Sequence, residues 1–438
     1  MSRFGDLPTD EFARRRAIFL NELADLDACA IIHSAPGYER NHDVEYPYRQ
    51  DSDFIYLTGW PFARGILVLT PQPSESDQAE ATLFVPERNS KMEVWTGPKA
   101  GLEEASALTE IDQALAYDTF FDHLGKLVSG YERLVISDGN DLDFQIDLTK
   151  KMKHSRQRPI LIQEAATLLK SHRLIKSDAE IKALEQAIAI TGESLVDAFK
   201  IIPTLRFEYE AKAEIEYGFK KRGAIRLGFP SIVGAGKNST YLHYEDDRGK
   251  LNPGDILLMD VGAEWEYYSA DISRTVPVNG TFSTEQALLY QLVLDAQIAA
   301  IKSVRPGAAF REPHHVAVKV ITKGLIDLGL LEGTVVDLIK TKAYRKFFMH
   351  GTSHWLGLDV HDAGGYLNAD GQPHLLKTGM ILTVEPGIYI SESDDVDPKW
   401  WNIGIRVEDD VLVTTDGHRV LSASIPKTID QIERLMQP

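Results

Sequence analysis

The residues best suited to chemistry fall into four stretches between positions 256 and 413. In the first, Ile256 to Val261 and Tyr268 to Val276 both read as strands, joined by a turn centred between Trp265 and Glu266. That centre sets Asp260 directly opposite Asp271, with Cβ atoms about 4.5–5.5 Å apart on one face. Two ionised carboxylates so close repel, and a proton or a cation must resolve the conflict. In the second, His350-Gly-Thr-Ser-His354-Trp-Leu-Gly-Leu-Asp-Val-His361-Asp362 concentrates three histidines in a chain that has 13. Imidazole is the commonest neutral metal ligand and the side chain that exchanges protons near neutral pH. In the third, Thr383-Val384-Glu385-Pro386-Gly387 ends an apolar strand on an acid that is costly to bury alone. In the fourth, Gly404 to Val413, Arg406 alternates with Glu408, and Asp409 and Asp410 read as a solvated strand end.

Asp260, Asp271, Glu385 and Glu408 carry four negative charges, which two divalent cations balance, and a neutral His354 completes a ligand set. Two such ions sit about 3.5–4 Å apart, and a water or hydroxide shared between them is a nucleophile at neutral pH. Oxygen-rich ligation selects hard ions, so the expected cofactor is two divalent metal ions, manganese first, with cobalt or zinc as substitutes. Other chemistries fit less well. Gly351-Thr-Ser353-His354-Trp355 lacks the last glycine of a nucleophile elbow. Gly234-Ala-Gly236 lacks the third glycine of a dinucleotide loop. No His-Glu-x-x-His occurs, and His314-His315, after Pro313, reads as a surface pair on a helix.

These residues need strands that end at one place. Leu251-Asn-Pro-Gly254-Asp-Ile256-Leu257-Leu-Met-Asp260-Val-Gly262 aligns without gaps onto Leu376-Lys-Thr-Gly379-Met-Ile381-Leu382-Thr-Val-Glu385-Pro-Gly387, an offset of 125. Pro203-x-x-x-Phe207 and Pro306-x-x-x-Phe310 each precede a helical stretch, ending at Gly223 and Gly329. The echo predicts a duplicated helix-then-strand unit with pseudo-two-fold symmetry and an acid at the end of an equivalent strand in each half. Upstream, residues 28–33, 65–70, 82–86 and 133–137 read as buried strands, and 10–27, 102–117 and 141–153 as helices, which together suggest an α/β domain. Gln72 to Glu80 reads as a loop. Ser177-Asp-Ala-Glu180 has capping-box spacing before the apolar-periodic Ile181, Leu184, Ala187 and Ile188, which opens a second unit. The expected domains are 1–174 and 175–438.

Composition narrows the classes. At 438 residues, 43% hydrophobic and 26% charged, the chain buries a sizeable core. Lys+Arg 47 against Asp+Glu 65 gives a net charge of −18, which argues against a nucleic-acid binder because phosphate contacts need clustered cations. One cysteine, Cys29, excludes an intrachain disulfide and any cysteine-based metal site. No run approaches 18 apolar residues and no secretion signal is visible, so no membrane partner and a cytoplasmic location are expected.

In their order and contexts, Asp260, Asp271, His354, Glu385 and Glu408 resemble the metal-ligand set of the pita-bread metallopeptidases. Within that fold, Glu45-Tyr-Pro-Tyr-Arg49-Gln50-Asp51-Ser52-Asp53-Phe54-Ile-Tyr-Leu-Thr58-Gly59 and Glu93-Val-Trp95-Thr-Gly97 resemble the N-terminal domain of the Xaa-Pro aminopeptidases (aminopeptidase P). The resemblance implies an N-terminal α/β domain with a mixed sheet and a pita-bread catalytic domain. It implies a metallo-aminopeptidase that releases the first residue of Xaa-Pro-Yaa peptides by attack of a metal-bound hydroxide. It also implies that Asp271 and Glu408 bridge the two ions and that Glu385 accepts the water's proton as well. His243 matches a histidine that stabilises the tetrahedral intermediate; His350 and His361 match residues lining the proline-binding and peptide-binding sides. Arg406 and Asp43 match a supporting pair, and Tyr389 a tyrosine near the bridging carboxylates. Trp95 matches a tryptophan that enters a neighbour's active site in tetrameric members, so a homo-oligomer, tetramer or dimer, is expected. The alternatives are a prolidase, which cleaves only the Xaa-Pro dipeptide, and a catalytically dead pita-bread binding protein. Residues 362–384 hold no arginine, only Lys377, where prolidases and many aminopeptidase P sequences carry one. Intact ligands speak against the dead protein.

Overall fold

The structure, a computed structural model, describes residues 7–72, 79–137, 139–153, 158–368 and 370–437. The chain is α/β and divides into two compact units, Met1–His172 and Arg173–Pro438. Among the described residues no helix is long and apolar enough to cross a membrane.

The first unit is built on a six-stranded mixed sheet. Its order is Gln113–Ala116, Ala81–Val85, Ile66–Leu69, Ala28–His33, Arg133–Ser137, Leu161–Glu164. Ala28–His33 runs antiparallel to Ile66–Leu69 and parallel to Arg133–Ser137. Its residues are all buried, which is why it reads as an unbroken apolar run rather than an alternating one. Cys29 is part of that run, and burial pushes its thiol up to about 12. The expected helix over 102–117 is shorter. It covers Leu102–Thr109, ends at Glu110 with φ 50°, and gives way to the edge strand Gln113–Ala116. Most of the expected Gln72–Glu80 loop lies outside the described residues.

The second unit repeats one order of elements. Helices Asp178–Ile201 and Glu208–Lys221 precede strands Ile256–Val261 and Ile272–Pro277; helices Thr284–Ser303 and Glu312–Asp327 precede strands Ile381–Val384 and Asp409–Val413. The first helix starts where its capping box requires, with Ser177 Oγ accepting from the Glu180 amide and the Glu180 carboxylate accepting from the Ser177 amide. Apolar faces of all four helices join one core with the strands. The opposite strand faces carry the polar residues described next.

Candidate metal centre

The first pair of acids comes from one antiparallel ladder. Ile256–Val261 pairs with Ile272–Pro277 so that Asp260 faces Ser273 and Val261 faces Ile272. Asp260 is therefore diagonal to Asp271, not directly opposite it, and both still point to the same face. The turn lies one residue further on than expected. Trp265 pairs with Tyr268, leaving Glu266 (φ 50°) and Tyr267 (φ 69°) as a two-residue loop with both dihedrals positive. Asp271 lies across from Gly262, where a Cβ would stand 1.8 Å from the Ala270 carbonyl oxygen, so only glycine lets the strands close at this point.

The second pair comes from the repeat. Val384 faces Asp409 in one ladder and Gly387 faces Arg406 in the next. The register is unbroken between them, which sets Glu385 across from Glu408. His354 arrives on the loop between Phe348 and Ile381, held by its amide to Thr383 Oγ1 at 3.1 Å. Its Nδ1 lies 3.0 Å from the Trp355 carbonyl, which can only accept. The proton thus belongs on Nδ1, and the Nε2 lone pair is turned to the acids, 3.2 Å from Asp271 Oδ2.

One guanidinium organises the cluster from behind. Arg406, buried, donates to Asp260 Oδ2 (2.6 Å), Ser273 Oγ (2.9 Å) and Tyr389 Oη (2.9 Å). Ser273 in turn donates to Glu408 Oε2 at 2.7 Å. Tyr389 Oη meets His350 Nε2 at 2.9 Å, while His350 Nδ1 donates to the Gly351 carbonyl. Burial first, then Arg406, push His350 down to about 3, so its imidazole is neutral at physiological pH.

The acids themselves are held far from their ordinary behaviour. Burial, then Asp260, Asp410 and Glu385, raise Asp271 well above the carboxylate range. Burial, then Asp271, Glu385 and Asp260, do the same to Glu408 against the pull of Arg406. Burial also raises Glu385, opposed by His354 and Arg406. Protein donors relieve this only in part. Asp260 Oδ1 and Glu408 Oε1 are buried without a hydrogen-bond partner among the described residues. Ligand atoms of Asp271, His354 and Glu408 converge within 4.8 Å of one another. Clustered carboxylates, an oriented imidazole lone pair and orphaned oxygens fit divalent cations, which supply the positive charge that the cluster lacks.

All five proposed ligands line one cavity of about 360 Å³, together with Arg406, His350, His243 and His361. His243 and His361 are exposed at its mouth, and the His361 ring meets that of His354 edge-on at 4.4 Å. Tyr389 stands behind it through Arg406 and His350. Two expected residues lie in the first unit instead. Asp43 occupies the exposed turn between Glu39–Asn41 and Val44–Glu45, and Trp95, 84% exposed, is on the helix Ser90–Thr96.

Three corrections follow. Asp409 and Asp410 are not a solvated strand end: both are fully buried. Asp409 accepts from Arg274, Ser422, Gln297 and Lys427, and Asp410 Oδ2 accepts from the Asp271 amide. His314 is not a surface residue; it is half-buried, 2.8 Å from Thr352 Oγ1. Ser273 was missed, although its place two residues after Asp271 on an alternating strand puts it on the same face.

The chain matches metallopeptidase family M24 over residues 182–415 and the aminopeptidase P N-terminal domain over residues 12–136. It is 37% identical to the Xaa-Pro aminopeptidase of Haemophilus influenzae, with 98% of each chain covered. Its fold is similar to an aminopeptidase from Pseudomonas aeruginosa (TM-score 0.93, 41% identity, 98% of each chain covered). It is equally similar to aminopeptidase P from Escherichia coli with the inhibitor Pro-Leu (TM-score 0.93, 36% identity, 99% of each chain covered).

Proposed function

We infer that this chain, which belongs to metallopeptidase family M24 and has the two domains of its aminopeptidase P branch, releases the first residue from peptides whose second residue is proline. The observation that carries the reading is the convergence of Asp260, Asp271, His354, Glu385 and Glu408 on one cavity, with two of their oxygens orphaned.

These five residues hold two divalent ions, for which manganese is our first choice. When bound, the ions supply Lewis acidity, which polarises the scissile carbonyl and brings a water's pKa near neutrality. The remaining chemistry belongs to side chains. Glu385, half-buried at the cavity, accepts the proton of the attacking water. Arg406 fixes Asp260 and, through Ser273, Glu408, so the acids keep their spacing when the charge on the substrate changes. His243, at the mouth, donates to the oxygen of the tetrahedral intermediate. Neutral His350 presents an uncharged wall to the proline ring, and His361 lines the path of the peptide. A proline nitrogen offers no N–H, so recognition rests on the fit of its ring rather than on backbone pairing. The exposed Trp95 reaches a neighbour's active site in an assembled homo-oligomer, tetramer or dimer, in a cytoplasmic enzyme.

The test compares hydrolysis of Ala-Pro-Ala, Ala-Ala-Ala and the dipeptide Ala-Pro by metal-stripped protein resupplied with manganese, cobalt or zinc. Cleavage of the first bond of Ala-Pro-Ala alone, greatest with manganese, is expected. Cleavage of only Ala-Pro would make the enzyme a prolidase.

A further inference from the structure

Beside the acid-lined cleft lies a second and larger cavity, of about 710 Å³. The two share Gly351 and Ser353 as a common wall. Four cations line the second cavity: Arg311 and Lys319 at the start and middle of the Glu312–Asp327 helix region, and Lys342 and Arg345 at the short helical turn Ala343–Lys346. No Asp or Glu lines it among the described residues. All four cations are exposed, and no carboxylate is within ion-pair distance of any of them among the described residues.

In a chain of net charge −18, cations next to this cavity do find acids: Arg305 pairs with Glu312, Lys323 with Asp327 and Lys346 with Asp395. The four that face the cavity have no such partner among the described residues. The local field agrees. His314, in the cavity wall, is pushed down to about 4 by burial, then by His315, Arg345 and Arg311, with no acid opposing them. Tyr366, which also lines it, is raised by burial and by the charge of Glu385, so the chamber is within electrostatic reach of the metal centre.

A peptide held with its amine at the acids of the first cavity must lead its remaining residues away from them. An extended chain advances about 3.3–3.6 Å per residue, so a few residues past the scissile bond suffice to pass the Gly351–Ser353 wall. We propose that the second cavity binds a carboxylate of the substrate downstream of proline, so that peptides carrying Asp or Glu after the second residue, or a nearby C-terminal carboxylate, are preferred. The preference rests on the peptidase reading above. It acts through charge steering and through binding in a wide, solvated chamber, so it weakens with salt.

The test uses amidated peptides of one length that begin Ala-Pro and continue with Ala residues, one of which is replaced by Asp or Lys at successive positions. At low ionic strength the best Asp peptide is expected to exceed its Lys counterpart at least tenfold in kcat/KM, the gap narrowing at high salt. In Arg311→Glu/Arg345→Glu, with unchanged circular dichroism and melting, the order should invert. Comparing the all-Ala peptide as free acid and as amide separates a terminal carboxylate from a side-chain one. Asp and Lys peptides cleaved within twofold of each other, or an Asp preference that survives the double charge reversal, would overturn the proposal. Failure to cleave the all-Ala amide with metal present would instead sink the peptidase reading, and this one with it.

Discussion

The fully buried pair Arg274–Asp409 offers a quantitative test of how the ligand strands are held. Arg274 Nη2 lies 2.9 Å from Asp409 Oδ1, and the same guanidinium donates to the carbonyls of Ser273, Glu408, Ile425 and Pro426. It thus straps the strand of Asp271 to the strand that follows Glu408. Burial acts to raise the Asp409 carboxyl, but Arg274 and Lys427 outweigh it and hold the group below the ordinary range. A depressed folded value contributes stability that is complete above the unfolded carboxylate value of about 3.9, and it is lost as pH falls through the lower one. At pH 7.5 the whole contribution is present. Asp409→Leu leaves a buried guanidinium facing only carbonyls and should cost about 5 kcal/mol; Arg274→Met leaves Asp409 with Lys427, Gln297 and Ser422 and should cost about 3 kcal/mol. At about 2–4 °C per kcal/mol for a domain of this size, melting falls by about 6–20 °C. In the double variant no buried charge is stranded, because Lys427, 21% exposed, can turn to water. The double variant should therefore be at least 2 kcal/mol more stable than the sum of the singles predicts. Thermal and urea unfolding of the four proteins complete the cycle. Single costs below 1 kcal/mol, or strict additivity, would refute the strap.

Four further outcomes are expected. Asp362, buried against Lys176 (2.7 Å) and Arg173 (2.6 Å), is raised by burial but lowered more by these cations; Asp362→Asn should cost about 3 kcal/mol at neutral pH in urea unfolding, and the cost should vanish as pH falls through the depressed wild-type value. Tyr389→Phe removes the hydroxyl shared by Arg406 and His350; it should cost about 1–3 kcal/mol of stability and lower kcat about tenfold or more at a temperature where the variant is folded, read by melting and steady-state kinetics. Gly262→Ala drives a methyl into the Ala270 carbonyl, so loss of about 3 kcal/mol and weakened metal binding are expected in calorimetry. Chelation should lower the melting temperature reversibly, and metal at a hundred times its Kd should restore about 2.7 kcal/mol, a difference that Asp271→Asn reduces.

Much of this was legible in the sequence because local rules and tertiary demands agree. Ser177 and Glu180 announce a helix start that packing then uses, and the buried strands of the first unit are apolar throughout. The Leu-x-x-Gly-x-Ile-Leu-x-x-acid echo located Asp260 and Glu385 because duplication keeps both pattern and purpose. The rest depended on partners remote in the chain. The hairpin register was misjudged because Glu266 and Tyr267 both take positive φ, a conformation that glycine or asparagine would have signalled. The Gln113–Ala116 strand passed for helix because four half-exposed residues carry no period of their own; pairing with Ala81–Val85 decides them. Asp409 and Asp410 read as solvated because nothing nearby in sequence compensates them, whereas Arg274, Gln297, Ser422 and Lys427 reach Asp409 from remote segments and the Asp271 amide reaches Asp410.

The strand arrangement also sets an order of events in biosynthesis. The Arg406–Asp260 contact spans 146 residues and the Ser273–Glu408 contact 135. A nascent chain that has reached His354 holds two acids and one imidazole but lacks Glu385, Glu408 and the guanidinium that spaces them. On the proposed ligand set, the full metal site can therefore close only after both halves of the second unit have been translated. Until then the acid face of the first half is exposed and mutually repulsive.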